Sequence, residues 1–119
     1  MSSTEVVFFA DTVGRAPVLG WLDRLPEKVR LKFIERIERL AQQGHKLRRP
    51  LADFLRDDVY ELRVRHMRVN YRLLYFFHDR RAVLCHGLTK ESKVASGDID
   101  VAIRRRAEYR ADPETHTYR

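Results

Sequence analysis

The 119-residue sequence has one cysteine, five glycines, four prolines and no apolar run long enough to span a membrane. Each shortage removes a class of explanation. A lone Cys85 cannot close an intrachain disulfide, and it falls inside an apolar run where a buried thiol is ordinary, which fits a reducing cytoplasm. The opening MSSTEVVFFADT has no basic segment and only a short apolar stretch, so no secretory signal is expected and a soluble cytoplasmic protein with no membrane association is. No histidine pair has metal-ligand spacing, and neither an H-E-x-x-H pattern, paired cysteines nor a glycine-rich phosphate loop occurs. The reading therefore expects no structural metal and no cofactor. Without repeats, low-complexity tracts or a marked linker, the chain reads as one domain over residues 1–110, followed by a mobile tail, ADPETHTYR, over 111–119.

Acidic residues are also in the minority, 17 against 24 lysines and arginines, for a formal charge of +7. That balance suits a polyanionic partner such as nucleic acid. Charge alone is unspecific, so the arrangement of the arginines has to carry the argument.

The arrangement is clearest between Val59 and Lys93, which reads as three antiparallel strands. Tyr60, Leu62 and Val64 alternate with Glu61, Arg63 and Arg65, and Val69, Tyr71 and Leu73 alternate with Arg68, Asn70 and Arg72. A reversal around His66 and Met67 sets Val64 against Val69, Leu62 against Tyr71, Arg63 against Asn70 and Glu61 against Arg72. One face becomes apolar and the other guanidinium-rich, and any even-length loop gives the same sorting. A second reversal around Asp79 and Arg80 sets Phe77 against Ala82, Tyr75 against Leu84 and Arg72 against Gly87. A glycine beside the central arginine would let a ligand backbone approach.

Upstream, Thr4 to Ala10 reads as a first strand. Pro17 starts a short helix carrying Val18, Trp21, Leu22 and Leu25, and Pro26 opens a second with Val29, Phe33, Ile34, Ile37, Leu40 and Ala41 at helical spacing, closed by Gly44. This helical hairpin suits a sheet's apolar face. Residues 45–58 read as a loop pinned by Leu47, Leu51, Phe54 and Leu55. Ser96 or Asp98 caps a last helix whose Ile99, Ala102 and Ile103 cover Leu74, Phe76, Val83 and Cys85, on the arginine face but at its far end.

Four guanidinium forks on one face, Arg63, Arg65, Arg68 and Arg72, with Lys90 and Lys93 where the last strand ends, form a plausible phosphate ladder. A solvated face partly neutralised by Glu61 and Asp79 accounts for the same pattern. His66 at the hairpin tip is a candidate proton-transfer group, and His86 beside Gly87 is a weaker one, placed by this register on the apolar face opposite Leu73. Tyr60, Tyr71 and Tyr75 read as core, while Tyr109 is less constrained.

The order strand, two helices, three-stranded meander, short helix resembles the RelE/HigB-like toxin superfamily of type II toxin-antitoxin systems, an α+β fold, with the prophage-associated HigB-like branch nearest. The resemblance is carried by YELR, YRLLYF and HGLTK within VYELRVRHMRVNYRLLYFFHDRRAVLCHGLTKESK, by IDVAIRRRAEY after it and by LDRLPEKVRLKF before it, and covers roughly residues 4 to 110. It implies a toxin that cleaves mRNA, typically on the translating ribosome, by attack of the ribose 2′-hydroxyl on the adjacent phosphate without a metal. It also implies a helix-turn-helix antitoxin, the pair binding operator DNA through the antitoxin. By position it assigns catalysis to Arg72, Arg65 and Lys90, with His66 a possible proton-transfer group. Arg63, Arg65, Arg68, Lys90 and Lys93 become RNA contacts. Some members carry a catalytic tyrosine near the C-terminus, for which Tyr109 is only a loose substitute. The alternatives are a ParE-like inhibitor of DNA gyrase on the same fold and a non-catalytic basic RNA-binding module.

Overall fold

In the computed structural model, which describes residues 3–89 and 94–119, strands Glu5–Phe8 (β1), Ala52–Phe54 (β2), Tyr60–His66 (β3), Val69–His78 (β4) and Arg81–Thr89 (β5) form one sheet in the order β1-β5-β4-β3-β2. The expected meander is β3-β4-β5. β1 joins it in parallel along β5, and β2, inside the stretch read as a loop, adds antiparallel to β3. Both edges are short, which limits edge-to-edge pairing with other chains.

The β3–β4 turn sits one residue beyond its expected place. Met67 and Arg68 form it with φ of 50° and 68°, the two left-handed positions of a type I′ hairpin, so Arg63 pairs with Arg72, Arg65 with Asn70 and His66 with Val69. A one-residue shift of the centre moves every partner by two, which leaves each side chain on its expected face. Arg68 is the exception: it belongs to the turn, not to the strand face.

The β4–β5 pairing follows the expected register at Phe77 with Ala82 and Tyr75 with Leu84, then slips between Leu74 and Tyr75. Cys85 is the extra residue of a β-bulge, after which Leu74 pairs with His86 and Arg72 with Leu88, not Gly87. A bulge inverts the alternation beyond it. His86 thereby moves to the arginine side, and Gly87 moves to the other, where a side chain at its position would begin 2.2 Å from Cδ2 of Trp21. The glycine admits an indole of the protein's own core rather than a ligand.

Helices Pro17–Asp23 (α1) and Glu27–Gln43 (α2) cover one sheet face, where Val18, Leu22, Val29, Phe33 and Leu40 pack on Leu62, Val64, Leu73, Tyr75 and Leu84. Ile34, expected in that stripe, is 46% exposed, because the sheet meets the line through Val29, Phe33, Ile37 and Leu40. Helix Ser96–Ala111 (α3) covers the far end of the other face, with Ile99 and Ala102 among Leu74, Phe76, Val83 and Cys85 as expected. Its N-cap is Ala95 without a side-chain cap, so neither Ser96 nor Asp98 plays that part.

The C-terminal residues, read as a mobile tail, are tied to β1. Asp112 caps a short helix, Pro113–His116 (α4), through the Thr115 amide. His116 is buried, stacks on Phe9 and has Nδ1 2.7 Å from the carbonyl of Ala10, while the Tyr118 amide donates to the Phe8 carbonyl at 2.9 Å. Hydropathy periodicity misses this segment because its anchors are a histidine, a threonine and backbone groups.

Candidate functional site

α3 leaves the near end of its sheet face open, and a cleft of about 770 Å³ lies there between the start of α3, the segment around β2, and β3–β4. Its floor is an ion pair set by strand register. Arg63 and Arg72 stand directly opposite one another, an arrangement that repels. Glu61, two residues before Arg63, answers both: Arg72 Nη1 donates to the two carboxylate oxygens at 2.8 and 3.0 Å, and Arg63 Nε lies 3.8 Å away. The Glu61 and Arg72 side chains are 3% and 11% exposed, against 36% for Arg63. Arg72 is therefore fixed, and Arg63 is the guanidinium with reach.

The walls come from the stretch read as a loop. Arg49 Nε donates to Asp53 Oδ2 at 2.8 Å. Burial pushes the Asp53 carboxyl up, but hydrogen bonds from Arg49 and the Phe54 amide, with the charges of Arg49 and Arg63, outweigh it and hold the group below the usual carboxylate range. Arg56 reaches across to α3, its Nη2 donating to Asp100 Oδ1 at 2.9 Å and Ser96 Oγ at 3.0 Å. These outer pairs are solvent-exposed and worth little, so an incoming anion can displace their carboxylates. The Glu61–Arg72 pair is buried and costly to break.

The structure brings together Arg63 and Arg72 from the expected site. Arg65 lies on the same face but lines an adjoining groove of about 330 Å³ with Arg36, Asn70 and Tyr71. Arg68 is displaced to the turn, and His66 shares the parity of Leu62 and Val64, so the sheet separates it from the cleft. Lys90 and Lys93 lie outside the described residues; the chain resumes at Val94, which lines the cleft. His86 has Nε2 2.9 Å from Asp98 Oδ1, joining β5 to the first turn of α3. Tyr109 is fully buried, accepting from Arg81 Nη1 at 2.9 Å with Thr117 Oγ1 at 3.0 Å, which removes it from the chemistry. Cys85 is buried with its thiol pushed up to about 12 and is no nucleophile.

Arg49, Asp53, Arg56, Val94 and Ser96 are the lining residues that sequence reasoning missed. Alternation assigns faces only within strands, and a charged connecting segment gives no such rule. Among the described residues no cluster of histidine, cysteine and carboxylate side chains could hold a metal, and no helix is long and apolar enough to cross a membrane.

A family model described as Phage derived protein Gp49-like (DUF891) matches residues 20–107, a span that includes the whole floor of the cleft and both of its walls. No curated protein matches the chain.

Proposed function

The chain belongs to the Gp49-like family of phage-derived proteins, a RelE/HigB-like toxin family of toxin-antitoxin systems that implies an antitoxin partner, and on that premise we propose that it is an mRNA endonuclease of the HigB-like branch, acting in the cytoplasm on ribosome-bound messages. The observation that carries the reading is the fixed Glu61–Arg72 pair beside the more accessible Arg63, on a cleft floor where a phosphate can meet preorganised positive charge. In the proposed reaction the 2′-hydroxyl oxygen attacks the neighbouring phosphorus as its proton leaves. The bond to the 5′-oxygen breaks, that oxygen takes up a proton, and the products are a 2′,3′-cyclic phosphate and a 5′-hydroxyl. Arg63 holds the non-bridging oxygens, Arg72 adds charge from a position set by Glu61, and Lys90 and Lys93 extend the contact. His66, which shares the parity of Leu62 and Val64, is given no role in the proposed reaction. A helix-turn-helix antitoxin would neutralise the toxin and carry the pair to operator DNA.

Induced expression should arrest growth and truncate transcripts, and Arg63→Ala should relieve both by about a hundredfold in cleavage rate, the scale of one lost charge-stabilising donor. A harmless wild type with intact transcripts would overturn the proposal. A second reading is favoured by one feature: Arg49, Arg56, Arg63 and Arg72 each already face a carboxylate. A non-catalytic RNA-binding module would show salt-sensitive RNA affinity with no cleavage when ribosomes are present.

A further inference from the structure

The β3–β4 hairpin tip departs from what its turn demands. Five described non-glycine residues have positive φ, and three of them, Asp57, Asp58 and Asp79, are of a type that tolerates it. The other two are Met67 and Arg68, side by side in a turn whose favoured residues are asparagine and glycine. Backbone strain of this kind persists where the side chains are put to use. Met67 is 82% exposed, so packing within the fold does not account for it.

A groove that extends toward the turn as far as the Arg65–Asn70 pair shares Arg63 and Arg72 with the cleft and adds Arg36 and Arg65. Asp53 and Glu61 line the cleft, whereas among the described residues no acidic side chain lines this groove. Arg63 and Arg65 are two residues apart on one strand face, about 6.8 Å along it, a separation comparable with that of successive phosphates in an extended single strand. Met67, two residues beyond Arg65, adds an exposed apolar side chain at the tip.

We infer that the groove and the Met67–Arg68 tip form a second subsite for single-stranded RNA, continuing the cleft by one or two nucleotides, with Arg65 and Arg68 on phosphates and Met67 against a base. This rests on the RNA reading of the cleft. An acidic protein segment is the competing occupant, disfavoured because guanidinium groups alone would serve it and the strained methionine would have no purpose.

The test uses the full chain carrying Met67→Asn with Arg68→Gly, the residues the turn prefers, and Met67→Ala by itself. Binding to 4- and 12-nucleotide single-stranded RNAs is followed by fluorescence anisotropy across a salt series, with polyglutamate as competitor. The double variant should melt higher than wild type, keep its affinity for the 4-mer, lose about tenfold for the 12-mer and show a salt slope shallower by about 0.7. Met67→Ala should weaken the 12-mer without changing the slope. Unchanged 12-mer affinity in the folded double variant would overturn the subsite while leaving the cleft reading intact. Equal loss of polyglutamate binding would assign the tip to an acidic partner. Failure of the wild type to bind either RNA would overturn both.

Discussion

A glutamate two positions before Arg63 lets two guanidinium groups occupy directly opposed strand sites, and much of the candidate site follows from that placement. Removing it should leave Arg72 partly buried without its counter-charge. Glu61→Ala is expected to cost roughly 3–5 kcal/mol in urea unfolding, and Glu61→Ala with Arg72→Leu distinctly less. Equal losses in the single and double variants would mean that the pair is not coupled. Cys85 provides a second test at this scale. Burial raises its pKa from an ordinary 9.0 to about 12, so the folded state keeps the proton after the unfolded chain has lost it. The stability this contributes is full below 9.0 and is lost as pH climbs toward about 12. At pH 9 a thiol reagent should leave the folded protein unlabelled and label it fully in urea. Stoichiometric labelling of the folded protein would contradict the burial.

Among elements, the β3–β4 hairpin was legible because alternation sorts side chains by parity, which survives a turn misplaced by one residue. The far half of β5 was not. A bulge is one unpaired residue, here Cys85, and nothing in an apolar run marks which residue it is. That slip misplaced His86 and Gly87 together. β2 was missed for a different reason: three residues cannot display a period, and Arg49 and Arg56 flank it. The glycine correction can be tested. Gly87→Ala should destabilise the protein by about 1–3 kcal/mol through overpacking against Trp21, and Trp21→Leu should recover part of that loss. A Gly87→Ala variant of unchanged stability with impaired RNA binding would restore the ligand-approach reading.

At the scale of the molecule, α1 and α2 cover one face of the sheet and α3 covers the far end of the other, and the cleft lies beside the start of α3 with Arg63 of β3 and Arg72 of β4 in its lining. The excess of basic residues pointed to a polyanion, and the sequence motifs pointed to the toxin family to which the chain belongs. The cleft walls needed the tertiary structure, because Arg56 meets Asp100 across 44 residues of chain. We propose that this cleft cleaves RNA. The most direct measurement incubates the purified protein with ribosomes carrying a defined message and identifies the new ends. The expected result is cleavage that leaves 2′,3′-cyclic phosphate and 5′-hydroxyl termini and is slowed about a hundredfold by Arg63→Ala. An intact message, with loss of gyrase supercoiling activity in a parallel assay, would contradict it.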